Sequence, residues 1–259
     1  MAFFYPCYKR LMSNLGRIDA ICGYATLAVD LLSEKLNEIN DPRDWLSGCA
    51  KIRGMILHDV DEDLLPHRLA QMFVVSVHAQ FEEFLQGFLD EHQSPGSNWP
   101  ERKNGEPLCH YVLSQLGLLF RSECEQDREV CDYYRLIRNR FAHVEVNDQK
   151  LKNKNSRLRA LLSVSDAYLP PKSYDDLDYG DFDLFTRAVK ALGARICAEA
   201  RPPDSVLIEF AKTGSFAALK RYRANPSRYR EALCQKLQMD FGLDEQESSN
   251  IVGSVISGG

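Results

Sequence analysis

Apolar residues recur at three- and four-residue intervals along nearly the whole chain, the period of amphipathic helices, and no alternating apolar–polar run exceeds four residues. The spacing predicts helices over residues 14–39 ("NLGRIDAICGYATLAVDLLSEKLNEI"), 42–56, 66–92, 108–121, 124–146 and 182–200, and three shorter ones between 204 and 259. Punctuation agrees with the period. The first helix stops at Asn40-Asp41-Pro42; Asp41 then caps the second, with Pro42 at its first position, and Pro66 suits the first turn of the third. Residues 93–107 ("QSPGSNWPERKNGEP") and 168–183 ("YLPPKSYDDLDYGDFD") are dense in loop formers, and "NDQKLKNKNSRLR" (147–159) reads as a polar, basic loop. The expected fold is all-α: a helical bundle over 61–201, N-terminal helices over 1–60 packing on it, and a small helical segment over 202–259 set off by Arg201-Pro202-Pro203-Asp204.

Composition narrows the function classes. The 259 residues are 44% hydrophobic and carry a net charge of −5, so the chain holds enough apolar side chains for a core and is not built to coat nucleic acid by charge alone. No apolar run approaches the ~20 residues that span a bilayer, and the start "MAFFYPCYKRLMSN" lacks the long apolar stretch of a secretory signal. A cytoplasmic protein is expected. Eight cysteines are scattered without a C-x-x-C pair, which reads as small buried hydrophobes in a reducing compartment.

The chemistry concentrates in "YYRLIRNRFAH", residues 133–143. At about 100° per residue, Val130, Tyr133, Tyr134, Ile137, Phe141 and Val144 share one apolar stripe, whereas Asp132, Arg135, Asn139 and His143 share a polar face. Asn139 and His143 are four apart and so adjacent on that face. Arg138 lies at the edge of the apolar stripe, where its stem can be buried and its guanidinium turned toward the polar side. An amphipathic helix with a basic outer side accounts for the same residues without any chemistry.

Arg138-Asn139-Arg140-Phe141-Ala142-His143, preceded by the aromatic–aliphatic stripe of "CDYYRLIRNRFAH", resembles the R-x4–6-H signature of the HEPN superfamily. An earlier helix in many relatives carries an acidic residue after an aromatic, and "SVHAQFEEFLQGFL" is similar, with Glu82 following Phe81. The resemblance covers roughly residues 62–200. It implies a HEPN-like bundle and a metal-independent endoribonuclease without cofactor, of the kind found in toxin–antitoxin modules, abortive-infection systems and type VI CRISPR effectors. It further implies a homodimer, with an antitoxin or defence-system partner in some settings. Many toxins of this family carry a nucleotidylated Tyr two residues after the His; here that position is Glu145, so a Tyr-modifying partner is not supported.

The chemistry suits the residues. RNA supplies its own nucleophile, the 2′-hydroxyl. Cleavage then needs a base, an acid and positive charge on the phosphate. A histidine such as His143 can serve as base or acid at neutral pH, Arg138 presents a planar fork to phosphate oxygens, and Asn139 orients either the His or the scissile phosphate. One chain offers a single such His on this helix; two copies related by a two-fold axis would place two sets across one cleft. Glu82 either holds Arg138 or His143 in place or pairs with His78 one turn earlier. Arg135, Lys150, Lys152, Lys154 and Arg157, with Arg159 nearby, are candidates for gripping the RNA backbone, or else form a solvated loop. The alternative for the whole chain is a non-catalytic helical module that binds RNA, a nucleotide or a partner protein.

Other stretches carry less. "HDVDEDLLPH" (58–67) gathers His58, Asp59, Asp61, Glu62, Asp63 and His67, but acids also stabilise the start of a helix. No Gly-rich phosphate loop and no G-x-S-x-G occurs, and Cys109-His110 are neighbours in sequence only. "KRYRANPSRYR" (220–230) interleaves Tyr222 and Tyr229 with five basic residues; it suits stacking on bases, and equally the outer side of two short helices meeting at Asn225-Pro226.

Overall fold

The computed structural model describes residues 3–57, 64–93, 99–142, 148–163 and 169–257, and every regular element among them is helical. The all-α expectation therefore holds. The α-helices are α1 (Pro6–Asn37), α2 (Pro42–Ile52), α3 (Leu64–Gln93), α4 (Leu108–Gln115), α5 (Glu125–Ala142), α6 (Asp148–Leu162), α7 (Tyr179–Glu199), α8 (Asp204–Lys212), α9 (Pro226–Phe241) and α10 (Glu245–Ser257). None of them is long and apolar enough to cross a membrane.

Where the boundaries differ from the periodic reading, local chemistry explains it. Helix α1 starts at Pro6, well before residue 14, because Cys7, Leu11 and Leu15 extend the buried face by four-residue steps and a proline fits a first turn. Helix α4 ends at Gln115. Gly117 adopts φ 67°, Leu118 N–H bonds Leu113 C=O at 2.8 Å and Gly117 N–H bonds Ser114 C=O at 3.1 Å, the left-handed stop that glycine allows. The stretch expected as a basic loop is helix α6: Leu151, Leu158 and Leu162 bury one face of an otherwise polar sequence. At α2 the Asp41-Pro42 signal was sufficient, and α9 starts at the Asn225-Pro226 junction with a cap of the same kind. Asp41 accepts from Asp44 N–H at 3.0 Å, Asn225 accepts from Arg228 N–H at 3.1 Å, and each helix has its proline at the start.

The chain divides into two compact units. The first comprises residues 1–12, 81–125 and 190–259. Its aromatic core joins Tyr5, Phe88, His92, Trp99 and Tyr111. Tyr5 donates its hydroxyl proton to Ala200 C=O at 2.8 Å, so His92 Nδ1, 2.9 Å from the same oxygen, is the donor and the ring is held in one tautomer. Helix α10 packs on α8 and α9, and the 3-10 stretch Gly214–Tyr222 packs on α8 and α9 as well. The amino-terminal segment closes on this group: Phe4 N–H bonds Phe241 C=O at 3.0 Å and Phe3 stacks on Phe241. Gly242 ends α9 at φ 66°, and a Cβ there would come within 2.2 Å of the Phe4 ring.

The second unit comprises residues 13–80 and 126–189. Phe73 packs on Phe182, Tyr134 stacks on Phe185 at 4.9 Å, and Asn14 bonds Gln80 at 2.6 Å. All eight cysteines are free thiols, with Cys7, Cys22, Cys124, Cys131 and Cys197 buried.

Two outcomes follow for the first unit. Gly242→Ala combines a strained backbone with a steric clash and lowers stability by on the order of 1–3 kcal/mol in urea unfolding. Burial holds the His92 imidazole below its ordinary pKa. A depressed histidine contributes stability that is complete above about pH 6.5 and is lost as pH falls through the folded-state value. The urea midpoint should fall as pH drops below about 6.5, and His92→Gln should flatten that part of the slope.

Candidate functional site

Helix α5 presents the motif. Val130, Tyr133, Tyr134 and Ile137 are buried, as the period places them. Phe141, assigned to the same stripe, is instead 42% exposed: it sits in the last turn, where the stripe has run past the core that covers the earlier turns. His143, Val144 and Glu145 lie outside the described residues.

A buried hydrogen-bond network fixes the helix. Tyr134 donates its hydroxyl to Asp181 Oδ1 at 2.7 Å; the same oxygen accepts from Lys172 N–H at 3.0 Å, and Oδ2 accepts from Asp178 N–H at 3.1 Å. Asp181 is 2% exposed. Burial raises its pKa, opposed by the bonds from Tyr134 and from the Asp178 and Lys172 amides. Tyr133 donates to Lys172 C=O at 2.6 Å and accepts from Asn155 Nδ2 at 2.9 Å. Asn155 also reaches Lys172 C=O at 2.8 Å, and Arg159 reaches Pro171 C=O at 3.2 Å. Helices α5, α6 and α7 and the segment 169–178 are thereby held in one register.

The charges around α5 are nearly all matched. Arg128 faces Glu129 at 3.5 Å, and Arg135 grips Asp132 Oδ1 through Nη2 at 2.7 Å and Nε at 3.1 Å. Lys154 reaches across from α6 to Glu129 at 2.8 Å and Asp132 at 2.6 Å. Arg140 pairs with Asp148 at 3.2 Å and lies over the Tyr174 ring. For Asp132, burial works to raise the pKa, but Lys154 and then Arg135 outweigh it and hold the carboxyl below its usual range. Arg138 is different. It is half-buried, and its Nη1 donates to Asn139 Oδ1 at 3.2 Å. Among the described residues no carboxylate pairs with it.

The remaining sequence candidates are distributed as follows. Lys150, Lys152 and Arg157 stand on the exposed side of α6. Lys154, expected on a solvated loop, is 15% exposed and engaged by two carboxylates, because residue 154 falls on the side of α6 that meets α5. Glu82 is exposed on α3 and belongs to the first unit, whereas Arg138 and Asn139 belong to the second. Of the 58–67 cluster only His67 is described; the acids at 59 and 61–63 are not. Gln71 Nε2 bonds the His67 ring at 2.8 Å, and that ring meets Tyr174 edge-on at 6.2 Å. Tyr174 thus touches both His67 and Arg140. Sequence reasoning passed over Tyr174, Asp148 and Asp181; the only signal was the density of Tyr and Asp in 168–183. Among the described residues no three His, Cys, Asp or Glu side chains converge as a metal site.

No family model, no curated protein and no solved structure matches the chain.

Removing the α6 cation tests the electrostatic frame. Lys154→Met leaves Glu129 and Asp132 close together without their shared ammonium. With Asp132 37% exposed and partly screened, the expected loss is on the order of 1–2 kcal/mol. A depressed carboxyl contributes stability present above about pH 4 and lost as pH falls through the folded-state value. Acid unfolding followed by circular dichroism should therefore begin at higher pH in the variant.

Proposed function

We propose that the chain is a metal-independent endoribonuclease of HEPN type. The observation that carries the reading is Arg138. Among the described residues, the other three arginines on α5 each face a carboxylate, whereas Arg138 carries a guanidinium bonded only to the neighbouring Asn139. A half-buried cation without a counter-charge is costly to keep and is suited to an anion that arrives from outside. The Tyr134–Asp181 network anchors the helix that carries it, and the Asn139 side-chain oxygen gives the fork a bonded position.

In this proposal Arg138 binds the non-bridging oxygens of the scissile phosphate and Asn139 orients the fork through its side-chain oxygen. His143, whose role comes from the resemblance, transfers the proton. A base takes the 2′-hydroxyl proton, O2′ attacks phosphorus, and the bond to O5′ breaks as an acid protonates it. The products are a 2′,3′-cyclic phosphate and a 5′-hydroxyl. One His per chain supplies one proton-transfer group, so the active form is a two-fold dimer with residues 130–146 of both copies lining the cleft. Lys152 and Arg157, exposed on α6 and without an ion pair among the described residues, are available to the RNA backbone. Growth inhibition, as a toxin or phage-defence effector, is the setting that the same resemblance supports.

Three measurements test it together. His143→Ala and Arg138→Ala should each lower RNA cleavage by roughly 10²–10⁴-fold and relieve growth inhibition while the thermal transition is retained. Cleavage by the intact chain should persist in excess EDTA. Lys152→Gln with Arg157→Gln should weaken RNA capture and leave turnover at saturation unchanged. Intact RNA with the wild-type chain, together with a cellular effect that survives His143→Ala, would leave a binding module in place of the nuclease.

A further inference from the structure

A second concentration of unmatched positive charge lies in the first unit, outside the HEPN-like stretch. Lys220 and Arg221 end the 3-10 stretch Gly214–Tyr222, Arg223 follows it, and Arg228 and Arg230 open α9. All five are exposed, and none has an ion pair among the described residues. Glu231, the nearest acid along the chain, is bonded by Gln235 at 3.3 Å. In a chain with 37 acidic and 32 basic residues, no Asp or Glu occurs from 213 to 230.

Tyrosines organise them. The Arg221 and Arg228 guanidiniums each lie 4.8 Å from the Tyr222 ring centroid, and Arg221 Nη2 donates to the Tyr222 hydroxyl at 2.9 Å. Arg223 lies 5.8 Å from the ring of Tyr229, which is 9% exposed and so rooted in the core. A guanidinium resting on a ring keeps N–H groups free for phosphate oxygens and a flat face for a base. Helix stability does not account for the arrangement. The first turn of α9 holds Arg228 and no acid, opposing the helix dipole, whereas α10 begins with Glu245 and Glu247 as the dipole favours.

We propose that Lys220, Arg221, Arg223, Arg228 and Arg230, set around Tyr222 and Tyr229, bind the phosphate backbone of single-stranded RNA. Cations interleaved with aromatic rings are the chemistry by which single strands are gripped without sequence preference. An anionic lipid surface is the poorer match, because no large apolar side chain described among residues 216–230 is exposed for insertion, and the exposed Met239 lies more than two turns further along α9. The choice of RNA as the polyanion rests on the nuclease reading; the site itself does not.

The test uses the full chain carrying Arg138→Ala, so that the probe is not consumed, and a fluorescein-labelled oligouridylate of about 20 nucleotides. Anisotropy is recorded across a salt series. Arg221, Arg223, Arg228 and Arg230 are changed together to Gln, and separately to Lys. The Gln set should bind about tenfold more weakly or worse, with a slope of log K against log salt shallower by about two; the Lys set should keep the parent slope. If the fourfold Gln set loses the native melting transition, Arg221→Gln with Arg228→Gln replaces it. Equal affinity and slope in parent and Gln set overturns the site, as does absence of RNA binding by the parent. Tighter capture of poly-glutamate or anionic vesicles through the same residues also overturns it, in favour of those ligands. RNA held through this patch but never cut by the chain with Arg138 intact supports the site and sinks the nuclease. Cleavage with an unchanged KM in the Gln set does the reverse.

Discussion

The hydroxyl of Tyr134 and the carboxylate of Asp181 form the contact on which the second unit depends. The two residues lie 47 apart in sequence, both are buried, and the carboxylate accepts three bonds, from a hydroxyl and two backbone amides. A buried carboxylate left short of donors costs several kcal/mol in principle; here the donors converge from α5, from Lys172 and from Asp178. The same arrangement decides where the motif helix points, since Tyr133 and Tyr134 sit one turn before Arg138. Packing of the aromatic rings adds to it through Tyr134 on Phe185.

Once α5 is fixed, its charges sort themselves. Asp132 and Glu129 gather Arg128, Arg135 and Lys154 into a partly buried cluster that binds α6 to α5, and Arg140 finds Asp148 and the face of Tyr174. The pairs of Lys154 and Arg140 tie α5 to α6, and all of these pairs engage their cations with carboxylates of the chain itself. Among the cations without an ion pair in the described residues are Arg138, bonded to Asn139, in the second unit and the tyrosine-mounted arginines of residues 220–230 in the first. Both sets lack a carboxylate partner among the described residues, in a chain whose net charge is negative, and both are borne on elements held by buried tyrosines. That contrast between matched and unmatched cations separates scaffold from candidate function more sharply than the density of basic residues does. By density alone, Lys154 would have ranked with Lys152.

How far the sequence reaches depends on the range over which each interaction acts. Helix type, the capped start at Asp41, and the inward stripe Val130, Tyr133, Tyr134 and Ile137 were all legible, because periodicity and capping act over a few residues. The same local logic, applied to composition alone, misread residues 147–159 as a loop: Leu151, Leu158 and Leu162 are sparse, yet one leucine per two turns suffices once there is a surface to cover. The exposure of Phe141 and the burial of Lys154 were not legible, since periodicity gives the direction of a side chain and not what stands opposite it. Likewise the trio Arg138, Asn139 and His143 was singled out by its order along the chain. That Arg138 lacks a carboxylate among the described residues, while Arg135 and Arg140 have one, was decided by tertiary structure: an ion pair is a matter of a few ångströms between atoms whose separation only packing sets.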